Sequence, residues 1–323
     1  MKRALRIGLL VLGIATVALA TPFIYAGLRY GFGSPEFVRI AFEVKKFLVD
    51  FFSQDNGLNV LRRASINGIV AVGMTFVIIT GGLDLSVGGL LALASCLCAG
   101  LMEVGLPAPV AILAALATGA LLGSFNGFIV ARGKMQPFIV TMATWTIAAG
   151  VAFLYTDRVI TSTNQGFSNF GASPWAPTLL FLVTALLAWG VQKYTAFGRY
   201  TYSLGGNEEA ARLSGINVTS LKVKVYALSG MLAGLAAVVY VARTNSGAPD
   251  IWNTGYELDA IAAAVIGGTS LAGGRGSVIG TIFGAIIINA LGNALNLAGM
   301  GDVAQKIMRG LIILLAVYLQ KRD

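Results

Sequence analysis

Histidine is absent from this 323-residue chain. Its absence removes imidazole acid–base chemistry and the commonest nitrogen ligand for metals. Charge is scarce as well: only 11% of residues are Asp, Glu, Lys or Arg, less than half the roughly 25% of an average soluble domain. Cysteine occurs twice, at Cys96 and Cys98, two apart in an apolar run. That spacing sends the thiols to different faces of a helix and suits small packing residues rather than a redox pair. Catalytic signatures are missing too. The nearest approach to a phosphate-binding loop ends Gly133-Lys134-Met135, with Phe128 at the first glycine position, and so fails at both ends. Neither H-E-x-x-H nor G-x-S-x-G occurs, and nothing in the chain is equipped to hydrolyse ATP or cleave a bond.

What remains is 56% hydrophobic, with a mean hydropathy of +0.79. This is the composition of an integral membrane protein, and the fold class expected is an all-α polytopic bundle forming a single domain over 1–323. The net charge of +9 is spread among short connections rather than gathered on one face. Membrane topology accounts for it better than nucleic acid does. Apolar runs fall near 7–25, 64–82, 85–104, 108–131, 136–156, 175–192, 219–242, 258–273, 277–298 and 304–320, about ten spans at about 20 residues each. Lys2, Arg3 and Arg6 precede the first run, and Ala18-Leu19-Ala20 resembles a signal-peptidase site. The run stays apolar beyond it, which favours an uncleaved span. With the N-terminus inside, Arg132, Lys134, the 193–218 loop, Arg275, Lys321 and Arg322 all become cytoplasmic, as does the C-terminus.

Between the first two runs the pattern changes. In an amphipathic segment spanning 29–63, Phe37, Ile40, Ala41, Val44, Phe47, Leu48 and Phe51 recur at helical spacing from Glu36 to Phe52. Arg39, Glu43, Lys46 and Asp50 line the other face. This predicts either a helix lying in the membrane interface or an arm packed on the protein. Asp55-Asn56-Gly57 then reads as a turn back into the bilayer.

Glycine and polar residues inside the runs are placed. Gly119, Gly123 and Gly127, and likewise Gly276, Gly280 and Gly284, recur every fourth residue, a ridge that lets another backbone come close. Paired glycines at Gly81-Gly82 and Gly88-Gly89, and again at Gly267-Gly268 and Gly273-Gly274, flank short polar stretches, as expected of broken or re-entrant helices. Asn289, Asn293 and Asn296 share one helix face. Together with Asn67, Thr75, Ser86 and Asn126 they supply amides and hydroxyls to a route for a neutral, hydroxyl-rich solute, or else to interhelical hydrogen bonds. Asp84 either lines that route or, with Ser86, caps the next half-helix.

The longest polar interval of the second half runs from Lys193 to Val218. Within it Asn207 is a good N-cap, Glu208 and Glu209 complement the helix dipole, Arg212 falls in the last turn and Gly215 suits a left-handed C-terminal position. A helix so short cannot persist alone in water and must dock on something.

Three stretches together carry a family resemblance. Ala71-Val72-Gly73-Met74-Thr75 running into Gly81-Gly82-Leu83-Asp84-Leu85-Ser86-Val87-Gly88, then Leu204-Gly205-Gly206-Asn207-Glu208-Glu209-Ala210-Ala211-Arg212-Leu213-Ser214-Gly215, then Gly255-Tyr256-Glu257-Leu258-Asp259 through Gly273-Gly274 resemble the membrane-spanning permease subunits of ribose-type ABC sugar importers. The resemblance extends from about Asn67 to the C-terminus, while Glu36–Phe52 departs from the family's pattern. It implies that residues 206–215 form the coupling segment that docks on a cytoplasmic ATPase: Gly206, Asn207, Glu208, Glu209, Ala210, Ala211, Arg212, Leu213, Ser214 and Gly215. It also implies an inner-membrane location, a second permease copy (identical or related), a pair of ATP-binding cassette subunits carrying ATP and Mg, a periplasmic sugar-binding protein, and no cofactor in this chain. An ion-coupled secondary transporter, which would have to use Asp84 or Asp259, and an ABC permease for branched-chain amino acids are the alternatives.

Overall fold

The computed structural model describes residues 34–162 and 164–301, together with Arg29 and isolated positions between 303 and 318. The runs at 7–25 and 304–320, and both termini, lie outside the described residues. Among those described the chain is almost wholly helical. In order it forms α1 (Pro35–Phe51), α2 (Gln54–Ile79), α3 (Val87–Glu103), α4 (Ala108–Arg132), α5 (Pro137–Tyr155), β1 (Ile160–Thr161), α6 (Gln165–Ala172), α7 (Ala176–Tyr194), α8 (Ala196–Gly206), α9 (Glu208–Leu213), α10 (Val218–Thr244), β2 (Ser246–Gly247), a 3-10 turn (Pro249–Thr254), α11 (Tyr256–Ile266) and α12 (Val278–Leu297).

Six of these helices, α2, α4, α5, α7, α10 and α12, are long and apolar enough to cross a membrane. The run at 85–104 yields the 17-residue α3. The run at 258–273 is corrected: its helix is only the 11-residue α11, about 16 Å long at 1.5 Å per residue. The chain instead reaches the start of α11 through β2 and the 3-10 turn, a discontinuous path of the kind tolerated where surrounding protein satisfies the backbone. A second correction concerns 55–57. Ser53 caps α2 by accepting a hydrogen bond from Asn56 N at 3.2 Å, so Asp55, Asn56 and Gly57 lie inside its first turns. The same polar residues that make turns also favour helix starts, and here Asp55 meets the positive end of the dipole. The amphipathic pattern does fold as a helix, α1, whose Val38, Phe42 and Val49 are exposed.

Burial separates two classes of helix. Helix α2 is buried on every side from Ala64 to Ile79, and α10 along most of its length. Outer helices expose one apolar stripe, such as Leu113, Leu121, Phe125 and Phe128 on α4 and Leu179, Leu186 and Leu187 on α7. In lipid such a stripe is at home, and association of the helices rests on close packing. That packing is densest between α4 and α10. A Cβ on Gly119 would collide with the carbonyl of Gly230, and one on Gly123 with the carbonyl of Tyr226. The reverse holds for Gly230 against Gly119 and for Gly234 against Ala115. Each ridge therefore meets a glycine pair on the partner helix. A second seam joins α11 to α12, where Gly280 and Gly284 lie on the carbonyls of Gly267 and Ala263.

The break between α2 and α3 is held by a chain of buried hydrogen bonds that all point at Asp84. Ser86 donates to Asp84 Oδ1 from its backbone N at 3.1 Å and from Oγ at 2.5 Å, while Ser229 Oγ on α10 donates to Oδ2 at 2.8 Å. Asn126 Nδ2 on α4 donates to Ser86 Oγ at 2.9 Å, and Thr144 Oγ1 on α5 donates to Asn126 Oδ1 at 2.5 Å. An acceptor-only carboxylate is the one side chain of its size that completes this pattern. Four segments are thereby tied to one buried residue.

Two outcomes follow. Gly123→Val forces α4 and α10 apart, and the overpacking costs about 1–3 kcal/mol, so the detergent-solubilised protein should melt several degrees lower. Asp84→Asn sets an amide N–H against a hydroxyl donor and strands it, costing about 1–3 kcal/mol. Its melting temperature should fall in the same assay. Unchanged melting with lost transport would instead place Asp84 on the solute's route.

Candidate functional site

The polar interval from Lys193 to Val218 folds as two short helices. The first, α8, is capped by Thr195, whose Oγ1 accepts from Gly198 N at 3.3 Å. It was not legible as a helix in the sequence, although Thr195 three residues before Gly198 is a capping signal. The second, α9, follows after Asn207, whose extended backbone turns the chain. Asn207 Oδ1 accepts from Ala210 N at 2.9 Å. At the other end Gly215 takes a left-handed conformation, φ +83°, and Ile216 N donates back to Ala211 O at 3.1 Å. Both ends of α9 are thus closed by the residues read as caps.

Exposure divides the segment 206–215. Gly206, Asn207, Glu208, Glu209, Ala210, Arg212, Leu213, Ser214 and Gly215 are exposed and Ala211 is buried. Leu213 stands 81% exposed. Glu208 pairs with Arg212 at 3.2 Å one turn on and with Lys222 of α10 at 2.8 Å, which fastens α9 to the start of a central helix. One buried alanine and this ion pair hold the segment down. Most of its surface is left free.

Behind α9, three glycine pairs remote in sequence converge. A Cβ on Gly205 would collide with the carbonyl of Ile79, the last residue of α2. That same carbonyl accepts from Gly274 N at 2.8 Å, and Gly273 packs on Gly205 O and on the backbone of Gly81. Gly81, Gly273 and Gly274 all have positive φ, which a side chain would strain. Tyr202 OH adds a bond to Gly276 O at 2.6 Å. The end of α2 and the α11–α12 connection are therefore in backbone contact with α8.

The residues read as lining a route fall into separate groups. Asp84, Ser86 and Asn126 are completely buried in the network described above. Thr75 Oγ1 bonds Thr281 Oγ1 of α12 at 2.7 Å, and Asn67 is buried on α2 with neither amide atom partnered. Asn289 donates to Ala285 O of its own helix at 2.9 Å, and Asn293 donates to Asn56 Oδ1 at 2.9 Å, joining α12 to the first turn of α2. Asn296 is exposed near the end of α12. Sequence reasoning missed Ser229 and Thr144, the donors that complete the Asp84 network, because Ser229 is a single hydroxyl in an apolar run and nothing local sets Thr144 apart from Thr141 and Thr146. Among the described residues no group of three or more Cys, Asp or Glu side chains is placed to hold a metal.

Three kinds of comparison bear on this arrangement. The family model described as branched-chain amino acid transport system / permease component matches residues 56–317. The ribose import permease protein of Escherichia coli strain K12 is 45% identical over 284 residues, covering 84% of this chain and 88% of that one. The ribose import permease protein of Bacillus subtilis is 46% identical over 279 residues, covering 84% and 86%. The xylose transport system permease protein of Escherichia coli strain K12 is 36% identical, covering 83% and 85%. No solved structure matches the chain. With membrane-length helices, a capped surface helix resting on the central helices, and a match over most of its length, this chain belongs to the family of branched-chain amino acid transport system permease components.

Proposed function

We propose that this chain is the membrane-spanning permease subunit of an ABC importer that carries a simple, ribose-like sugar from a periplasmic binding protein into the cytoplasm. The observation that carries the reading is α9, a helix closed at both ends, exposed along most of its surface, and continuous with α8, whose Gly205 forms a glycine junction with α2 and the α11–α12 connection. Relatives named as ribose, fructose and xylose permeases support the sugar class. The permease itself is a transporter and not an enzyme. ATP and Mg belong to a cassette subunit that docks on residues 206–215, and a second permease copy completes the pathway.

The mechanism is mechanical. Closure of two ATP-bound cassettes displaces α9, the Glu208–Lys222 pair passes the displacement to α10, and the Gly205 junction passes it to the ends of α2 and the α11–α12 connection. Because α4 and α10 meet along glycine, they can slide or rock without repacking large side chains, and the route opens to each side in turn. This places α9 on the cytoplasmic side, the end of the bundle that also carries Arg132, Lys134, Arg199 and Arg275, as the positive-inside rule asks. The ion-coupled alternative is not favoured, because Asp84 already accepts three hydrogen bonds inside the protein.

Replacing Glu208, Glu209 and Arg212 together by alanine tests the docking role. These are exposed groups whose pairing adds only about 0.2–1 kcal/mol to folding, so membrane insertion and melting should stay near wild type. Association with the cassette subunit should weaken about tenfold or more, the ~1.4 kcal/mol expected when docking contacts are lost, and uptake driven by ATP should fall with it. Undiminished co-purification of the ATPase together with normal uptake would overturn the reading.

A further inference from the structure

Inside the protein the first turns of two helices meet, Gly88 of one against Glu257 of the other. Helix α3 begins at Val87 and α11 at Tyr256, each after a non-helical approach, and neither start is capped by a side-chain hydrogen bond. First-turn N–H groups have no partner within their own helix, so a pair of such starts favours an electron-rich ligand atom. The second, independent observation is a pair of side chains. Glu257, in the first turn of α11, is only 8% exposed, and its Oε2 has no hydrogen-bond partner among the described residues. Trp145, midway along α5, likewise has no partner for its indole Nε1. Both atoms crowd Gly88: a Cβ there would collide with Glu257 Oε2 and lie 3.2 Å from Trp145 Nε1. No hydrogen bond joins the two side chains. Trp252, on the 3-10 turn, backs Trp145 edge-to-face with ring centroids 5.0 Å apart.

Leaving a buried acceptor and a buried donor unmatched costs free energy. At Asp84 and Thr75 the fold pairs such groups, whereas here, as at the amide of Asn67, they stand unmatched. Of the two unmatched atoms the first, a carboxyl oxygen, accepts and the second, an indole N–H, only donates. A cation would answer the first and be repelled by the second, whereas a hydroxyl donates and accepts at once and answers both. The flat apolar faces of Trp145 and Trp252 suit the C–H face of a sugar ring.

We infer that Glu257 and Trp145, set on either side of Gly88 and backed by Trp252, form a contact point inside the membrane domain for one hydroxyl of the transported neutral polyol. The inference rests on the sugar-import reading. Glu257 accepts the hydroxyl's hydrogen and Trp145 donates to its oxygen, and Gly88, with no side chain, lets both atoms come close to one another's neighbourhood. The contact completes itself only when solute is present, so it marks a step of the route rather than a fixed part of the scaffold.

The test uses the complete importer, with its cassette subunits and binding protein, reconstituted in liposomes with ATP on the cassette side. Initial uptake of ribose, and of ribose analogues each lacking one hydroxyl, is measured at saturating sugar for wild type, Glu257→Gln and Trp145→Phe. Co-purification of the cassette subunits certifies assembly, and Trp145→Phe carries the test if Glu257→Gln fails to assemble. Ribose uptake should fall about tenfold in each variant, and for one deoxy analogue the difference from wild type should vanish, because the hydroxyl that the pair holds is then missing. Uptake within twofold of wild type in the assembled variants overturns the proposal, as does an equal deficit for every analogue, the mark of a merely structural role. Wild-type importer that moves none of these sugars overturns the import reading itself, and the contact with it.

Discussion

A peptide group in hydrocarbon has no water to bind, so every interruption of a transmembrane helix must be answered from within the protein. That constraint organises this fold. The chain breaks after Ile79 and again around α11, and at each break some of the unmet groups are met by a buried side chain or by another stretch of backbone. Asp84 answers the first break by drawing donors from the break itself and from α10, and through Ser86 and Asn126 the ties extend to α4 and α5. Gly274 answers part of the second by donating to the carbonyl at the end of α2. The interruptions therefore bind the elements of the molecule together.

The same requirement explains where glycine falls. Along α4, α10 and α12, and at Gly267 just past α11, it permits carbonyl-to-backbone approach that no other residue would allow, and in a solvent as apolar as the side chains themselves this proximity supplies most of the attraction. Seams without side chains also present a smooth surface to motion. A helix pair locked by interdigitated leucines has to repack to move, and a glycine seam does not. Stability and the capacity to rock thus arise from one choice of residue.

Much of this was legible in the sequence, and the exceptions have physical causes. The capped helix α9 was readable because N-cap, dipole charges and C-terminal glycine are local signals that need no tertiary partner. Long spans were readable because lipid imposes their length. Helix α11 was over-extended because Gly267–Leu271 carries no charge that would end the run, and composition cannot distinguish a helix from a turn that the surrounding protein satisfies. Asp55–Gly57 was read as a turn because residues that end a helix also begin one; the deciding contact, Ser53 to Asn56, lies just upstream. The convergence of Gly81, Gly205 and Gly273-Gly274 was invisible for another reason. Each pair was noted, but nothing local reports that three remote pairs meet. An acid in the first turn of a helix, as Glu257 is, is ordinary, and only the fold shows that its Oε2 is left without company beside an indole in the same condition.

The junction under α8 has a consequence of its own. Where Gly205 meets Ile79 and Gly274 there are no rotamers at the contact, hence no side chain that can tilt to absorb a displacement before passing it on. A linkage made of main chain alone behaves like a gear train without backlash: a shift of α8 by a fraction of an ångström reaches both interrupted segments at once and nearly undiminished. The two interrupted segments are in that sense linked by construction, with no signal needed between them.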